Sequence, residues 1–248
     1  MKLARMQDGS PEVYVTVQGE GRHVGLPVIF VRFSLCNLHC VWCDTPYTWN
    51  FGNKKHNWST GFDKEKEIVD MTSKQLAQVI HGVGKANHNV VFTGGEPLIQ
   101  QDAIVETISL LGEGHFQIET NGTIMPSPEL QHQIQFYNVS PKLEDSGNNR
   151  KQRDRKLPMT CFSDFAHNGR CCFKFVITRA NKDSDLWQIC ELVEKYRIPH
   201  EAVYLMPEGI ETVDMISWSR EVAKICMETG YSLSTRLQVI LYGDKRAV

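Results

Sequence analysis

The 248-residue chain predicts an α/β fold: a parallel sheet curled into a partial, open TIM-like (β/α)6 barrel. Three observations predict it. Strand-like and helix-like segments alternate from residue 89 onward, the order that builds a parallel sheet. The run Pro27–Phe33 (PVIFVRF) is apolar almost throughout, as in a strand covered on both faces. Polar or glycine-containing segments follow the strands, at the rim where parallel α/β folds bind ligands. About six β–α units can be counted, too few for the eight of a closed barrel.

Taken in order, Val13–Val17 alternates as a strand and runs into the turn Gln18-Gly19-Glu20-Gly21. The plain reading of that turn is a hairpin bend with a solvated Glu20; flanking glycines equally let backbone approach a ligand. Arg32 interrupts the next strand, either as a structural salt bridge or as a bidentate partner for a carboxylate. Residues 46–60 read as irregular and 64–66 as solvated surface. Thr72 with Gln75 makes a capping box, Leu76, Val79 and Ile80 form one helical face, and Gly82 and Gly84 close that helix. Strands follow at 89–92, 116–119, 136–140, 172–177 and 203–206. Helices are expected at 102–111, 129–135, 184–196 and 212–228, with Leu186, Ile189, Cys190 and Val193 on one face of the third. A last strand-like run spans 236–241. One domain is expected over 1–248, with a polar, basic insertion at about 145–158 that reads as a solvated loop. It lacks the interleaved aromatics of single-strand binders.

Composition narrows the function classes. A formal net charge of -2 gives no global field to recruit nucleic acid or a membrane surface, so a small-molecule substrate is expected. Residues 1–14 contain no apolar signal core, and no run approaches the ~20 residues of a membrane span. Eight cysteines without a secretion signal point to the cytoplasm and to metal ligation rather than disulfides. Cys190 and Cys226 read as core, and Cys161, Cys171 and Cys172 as small buried or idle thiols.

The chemistry concentrates in Cys36, Cys40 and Cys43, spaced C-x3-C-x2-C. Thiolates are soft ligands for zinc, copper(I) or iron–sulfur clusters. A [4Fe–4S] cluster takes four cysteines; three leave one iron open, and an open position makes a metal site reactive. Zinc is the competitor, with His39 or His56 as fourth ligand, but a single C-x2-C knuckle is a poor zinc signature. Thr93-Gly94-Gly95-Glu96-Pro97 follows the apolar run Val90-Val91-Phe92 and has no role in a zinc site. Its glycines would admit a ligand to bare backbone, and Glu96 would accept from an ammonium group.

These two motifs together resemble the radical S-adenosylmethionine (SAM) enzymes. Across nearly its full length the chain is similar to the 7-carboxy-7-deazaguanine synthase family. The resemblance rests on Gln18-Gly19-Glu20-Gly21, Phe30-Val31-Arg32, Cys43-Asp44-Thr45, the Thr93–Pro97 motif, Glu119-Thr120, Ser140-Pro141-Lys142 and Tyr204-Leu205. It implies a radical SAM barrel that turns 6-carboxy-5,6,7,8-tetrahydropterin into 7-carboxy-7-deazaguanine with loss of ammonia, on the 7-deazapurine (queuosine) pathway. It also implies a homodimer, magnesium, and an electron donor such as a flavodoxin or ferredoxin. Residue by residue, it implies Cys36, Cys40 and Cys43 on the cluster and Thr45 on magnesium. SAM contacts would come from Trp42, Cys43, Asp44, Gly95, Glu96, Ser140, Pro141, Lys142, Met206, Pro207, Glu208 and Gly209. Substrate contacts would come from Val17, Gln18, Gly19, Glu20, Arg32, Thr93 and the terminal Val248.

The chain departs from the family pattern in three places, one of them the basic insertion at 145–158, which is longer than the family leads one to expect. Met206-Pro207-Glu208-Gly209 stands where many members carry Gln-Pro, and Ser234-Thr235-Arg236 where many carry Gln-Thr-His. Arg236 holds its proton where a histidine would exchange one. Two rival readings have discriminators. A radical SAM activase acting on a protein would need neither the Gln18–Gly21 turn nor Arg32. A zinc-stabilised nucleic-acid module would be colourless.

Overall fold

The structure is a computed structural model that describes residues 1–52, 61–84 and 89–248. In chain order the elements are β1 Lys2–Ala4, β2 Val13–Val17, β3 Pro27–Phe33, α1 Lys64–Glu67, β4 Ile68–Asp70, α2 Ser73–Gly82, β5 Asn89–Gly94 and α3 Gln101–Leu111. There follow β6 His115–Thr120, α4 Pro128–Gln133, β7 Phe136–Val139, α5 Arg150–Arg153, α6 Lys156–His167, β8 Cys171–Ile177 and α7 Lys182–Tyr196. The chain closes with β9 Val203–Pro207, α8 Thr212–Thr229, β10 Ser232–Leu233 and α9 Leu237–Tyr242.

One sheet runs β10-β9-β8-β7-β6-β5-β3-β1-β4, with β2 paired to β3. From β3 to β10 every neighbouring pair is parallel, while β1, β2 and β4 add antiparallel strands beyond β3. The first and last strands of that order do not pair, so the barrel is open, as the unit count predicts.

Side chains alternate across each strand. On one face Val31, Phe33, Phe92, Ile118, Tyr137, Phe173, Phe175 and Leu205 join a single core with residues from α2, α3, α4, α6, α7 and α8. The register sets the other face: Arg32 lies beside Thr93, Glu119 beside Asn138, Asn138 beside Cys172, and Lys174 beside Tyr204. That face is polar toward the carboxyl ends of the strands. β3 is covered on both faces as expected, with Val28 and Phe30 packing with Val91 on the inner side, and polarity begins only at its Arg32 end.

Three expectations need correction. The run 236–241 is helical, not extended. A short apolar run does not distinguish strand from helix by periodicity, and here only Val239 of α9 is buried while Leu241 and Tyr242 stay exposed. Segment 145–158 is not a plain solvated loop: Asn149 and Gln152 form a capping box that starts α5, and α6 begins at Lys156. Pro158 sits in the first turn of α6, where its missing N–H costs nothing. Cys190 is exposed on α7 rather than in the core, whereas Cys226, Cys171 and Cys172 are buried as expected. The short strands β1 and β4 were not legible, and part of the irregular segment 46–60 lies outside the described residues.

The ends of β3 and β5 meet closely. A Cβ at Gly94 would lie 2.1 Å from the Phe33 carbonyl oxygen, and one at Gly95 would lie 2.1 Å from that of Leu35. These glycines are spent on strand-to-strand packing as much as on ligand access. Gly95→Ala should therefore destabilise by roughly 3 kcal/mol or more, because a backbone must move. Gly82→Ala, with nothing within 4 Å of the new Cβ, should raise stability by about 0.5–1 kcal/mol through its helix propensity. Urea midpoints of the two variants check the contrast.

Candidate active site

The cysteine loop leaves β3 through Leu35, whose φ of 78° is unusual for a residue with a Cβ. That turn aims the Leu35 carbonyl at the Glu96 amide, 2.8 Å away. The loop is then tied to two other rim segments. The Asn37 side chain donates to Thr123 Oγ1 at 2.8 Å and accepts from Asn121 Nδ2 at 2.9 Å. The amides of His39 and Val41 donate to Asn148 Oδ1 and the Ser146 carbonyl, and the Trp42 indole donates to Asp145.

Each cysteine sulfur has its own N–H donor: the Leu38 amide on Cys36 (3.5 Å), Asn148 Nδ2 on Cys40 (3.3 Å) and Trp49 Nε1 on Cys43 (3.3 Å). Burial pushes all three thiols up, Cys40 to about 11. Thiolates in this pocket therefore need a cation to form, which is how metal binding couples to proton release. Among the described residues no three His, Cys, Asp or Glu side chains group closely enough to hold one metal ion.

Two adjoining hollows open at this rim. The first is lined by Cys36, Cys40 and Cys43 together with Glu20, Trp42, Asp44, Thr45, Thr93, Gly95, Glu119, Asn138, Ser140, Lys142, Lys174 and Met206. The second is lined by Glu12, Tyr14, Arg32, Glu208, Arg236, Arg246 and Val248, and it shares Trp42, Cys43, Asp44 and Thr45 with the first. The expected substrate residues are thus divided: Glu20 and Thr93 lie with the cysteines, Arg32 and Val248 next door. Gln18, Gly19 and Pro141 are buried behind the lining. Glu96 is also buried, and its carboxylate accepts from Thr120 Oγ1, the Asn121 amide and the Leu98 amide at 2.7–3.1 Å. It clamps the ends of β5 and β6 together. Val17 ends β2, and Pro207 ends β9 ahead of Glu208 and Gly209.

The charges follow a simple rule: buried ions are paired. Glu20 is not solvated. It pairs with Lys174 on one oxygen, and with Arg236 Nε at 3.2 Å and Gln238 Nε2 at 2.7 Å on the other. Burial alone would raise its carboxyl, but Lys174 and Arg236 outweigh that and hold it well below the usual carboxylate range. Arg32 donates to the fully buried Glu12 at 2.6 Å, and Arg246 reaches the other oxygen of Glu12 at 2.7 Å. Lys142 bonds Ser140 Oγ at 2.8 Å and stands 5.4 Å from the Trp42 ring centre.

Comparison with known proteins fits this geometry. Residues 30–137 match the model of the Radical SAM superfamily. The crystal structure of QueE from Escherichia coli superposes with a TM-score of 0.63 at 24% identity, over 96% of this chain and 95% of that one. The 7-carboxy-7-deazaguanine synthase of Pyrobaculum aerophilum is 32% identical over 95% of both chains. This chain belongs to the 7-carboxy-7-deazaguanine synthase family. The member from Halobacterium salinarum is 33% identical over 94% of this chain and 90% of its own length.

Several residues of the site were given no role by sequence reasoning, although Glu119 was part of the family resemblance. Glu119 accepts from Thr93 Oγ1 at 2.7 Å and Gln18 Nε2 at 3.1 Å, inside the first hollow. Lys174 and Asn138 stand beside it. The signal was present: HFQIET, FYNV and CFKFVI each place a polar side chain between large apolar ones, the mark of a strand with a polar inner face. Asn148, in the basic insertion, had no local signal.

Burial raises the Glu96 carboxyl to about 7 against the donors from Asn121, Thr120 and Leu98. Between the ordinary 4.5 and 7 the folded protein then keeps a proton that the unfolded chain has lost. Its contribution is full below pH 4.5 and is lost as pH rises to 7, by up to about 3 kcal/mol. Urea denaturation of the SAM-free protein at pH 5 and pH 8 should show that loss. Glu96→Gln should show a flatter pH dependence; equal slopes would refute the assignment.

Proposed function

We propose that this protein is a radical SAM enzyme that converts 6-carboxy-5,6,7,8-tetrahydropterin to 7-carboxy-7-deazaguanine with loss of ammonia. The observation that carries this reading is one hollow holding three cysteine sulfurs together with an ionised Glu20, Thr93 and Thr45. The residues fit the groups the reaction needs. Cys36, Cys40 and Cys43 would hold a [4Fe–4S] cluster with one iron free, and the N–H donors on each sulfur suit bound thiolates. Thr45 Oγ1 offers a hard oxygen donor of the kind magnesium takes, and Asp44 stays on the SAM side of the hollow. With SAM on its open iron, the cluster supplies a 5'-deoxyadenosyl radical.

The chain's own part is binding and orientation. Glu20, held anionic, faces the guanidine-like edge of the pterin, and Thr93 stands beside it. Arg32, anchored by Glu12 beside Val248, suits the substrate carboxylate. Trp42, Ser140, Lys142 and Met206 line the hollow for SAM, with Gly95 supplying backbone and Glu96 holding the loop from behind. Glu208 and Gly209 extend that wall.

A protein-activating radical enzyme is disfavoured, because a buried, doubly paired carboxylate serves a small polar ligand better than a passing backbone. We take the chain as one working domain. No helix among the described residues is long and apolar enough to cross a membrane, and all eight cysteines are free thiols, which supports a reducing cytoplasm. A homodimer and a flavodoxin or ferredoxin as electron donor complete the proposal on the family resemblance.

Anaerobic turnover of cluster-reconstituted protein with SAM, reductant, magnesium and the pterin tests it. Product of the 7-carboxy-7-deazaguanine mass is expected, with SAM largely unconsumed. Cleavage of SAM without that product would retain the radical chemistry and reject the substrate. Cys40→Ala should abolish both the brown absorption and SAM cleavage. Thr45→Ala should keep both but lower turnover at limiting magnesium roughly tenfold, about 1.4 kcal/mol; an unchanged magnesium titration would remove Thr45 from the metal.

A further inference from the structure

We propose that Arg236 is a positioning residue that ties the substrate-reading carboxylate Glu20 to the cysteine loop through Asp44. The proposal rests on the function proposed above and goes beyond it, because it makes the order of the pterin site depend on the order of the cysteine loop.

Arg236 is buried at the start of α9, and its guanidinium donates in three directions. Nε reaches Glu20 Oε1 at 3.2 Å, one terminal nitrogen reaches the Gly209 carbonyl at 2.6 Å, and the other pairs with Asp44. Those three partners sit on three different rim segments: the turn after β2, the segment after β9 and the cysteine loop. Asp44 lies between Cys43 and Thr45, the residues assigned to cluster and magnesium. The guanidinium spreads its donors over three nitrogens, each on a different partner here, whereas an ammonium would have to reach all three acceptors from a single nitrogen.

The tie bears on substrate binding through lone pairs. A carboxylate offers about four acceptor directions. Lys174, Arg236 and Gln238 take three of those on Glu20, which leaves about one for an incoming donor. The direction of that free site is set by where Arg236 stands, and Arg236 is held in turn by Asp44. Gly19 closes the unit from below: a Cβ there would lie 1.8 Å from Gln238 Oε1. Among the described residues Lys174, by contrast, bonds Glu20 alone, so it fixes the charge without joining the cysteine loop.

A merely structural arginine would predict only a loss of stability, so the test reads binding. Titration calorimetry of 7-carboxy-7-deazaguanine into cluster-free protein gives a Kd independent of turnover, and the pterin KM of the loaded enzyme accompanies it. Arg236→Gln should weaken product binding at least tenfold and raise KM by a similar factor. Arg236→Lys should recover only part of either, since it can satisfy one carboxylate. Asp44→Asn should weaken product binding in the wild-type background and add little in the Arg236→Gln background, a non-additivity that marks residues acting through one another. If Arg236→Gln does not fold, the same cycle is run on Arg236→Lys.

Unchanged Kd and KM in a folded Arg236→Gln protein overturn the proposal. So do additive effects of Asp44→Asn and the Arg236 substitution, which would give Asp44 a direct contact instead. So does full recovery by Arg236→Lys. Failure of the wild-type protein to bind the compound or to turn over the pterin rejects the proposed function itself, and it is seen before any variant is made.

Discussion

A strand in this sheet has to satisfy two environments at once. One face meets helices and must be apolar; the other faces the barrel interior, where a polar side chain survives only if another side chain completes its hydrogen bonds. Thr93 with Glu119, Cys172 with Asn138, and Lys174 with Glu20 are such completions. The site is the set of polar residues that the core does not take, gathered by a parallel register at one end of the strands. No separate device assembles it.

Charge in the interior follows from the same limit. Glu12 and Glu20 each sit between two cations, and in both cases one cation comes from the last turns of the chain: Arg246 for Glu12 and Arg236 for Glu20. The carboxyl-terminal segment thus contributes neutralising charge to residues more than two hundred positions earlier. A buried pair of this kind is a weak source of stability but strongly destabilising to break. Its value here lies in holding pocket walls in a fixed relation, with the Val248 carbonyl pinned by Thr16 Oγ1 at 2.8 Å.

Much of this was legible from residues alone. The cysteine loop, the Thr93–Pro97 motif and the positions of the parallel strands were readable because spacing and apolar runs report local geometry. The capping box at Thr72 and Gln75 formed as read. Glu20 was misjudged as solvated because its partners, Lys174, Arg236 and Gln238, lie more than 150 residues away, and pairing at that range leaves no local trace. The glycines of the Thr93–Pro97 motif were read as ligand access, while the structure adds backbone packing against Phe33 and Leu35. Residues 236–241 were misread because six largely apolar residues suit strand and helix alike. Asn148 fell inside a stretch whose polarity suggested solvent, yet its side chain ends on the Cys40 sulfur.

The N–H donors on the cysteine sulfurs, Asn121 on Cys36 among them, carry an implication for electron transfer. Hydrogen bonds to cluster sulfurs are one of the terms that set reduction potential. Donors stabilise negative charge, so they favour the reduced state and move the potential upward. A cluster held by Cys36, Cys40 and Cys43 would be easier to reduce than one on bare thiolates. How strong a reductant the protein requires would therefore depend partly on Trp49, Asn148, Asn121 and the Leu38 amide, which donate to the sulfurs that would hold the cluster.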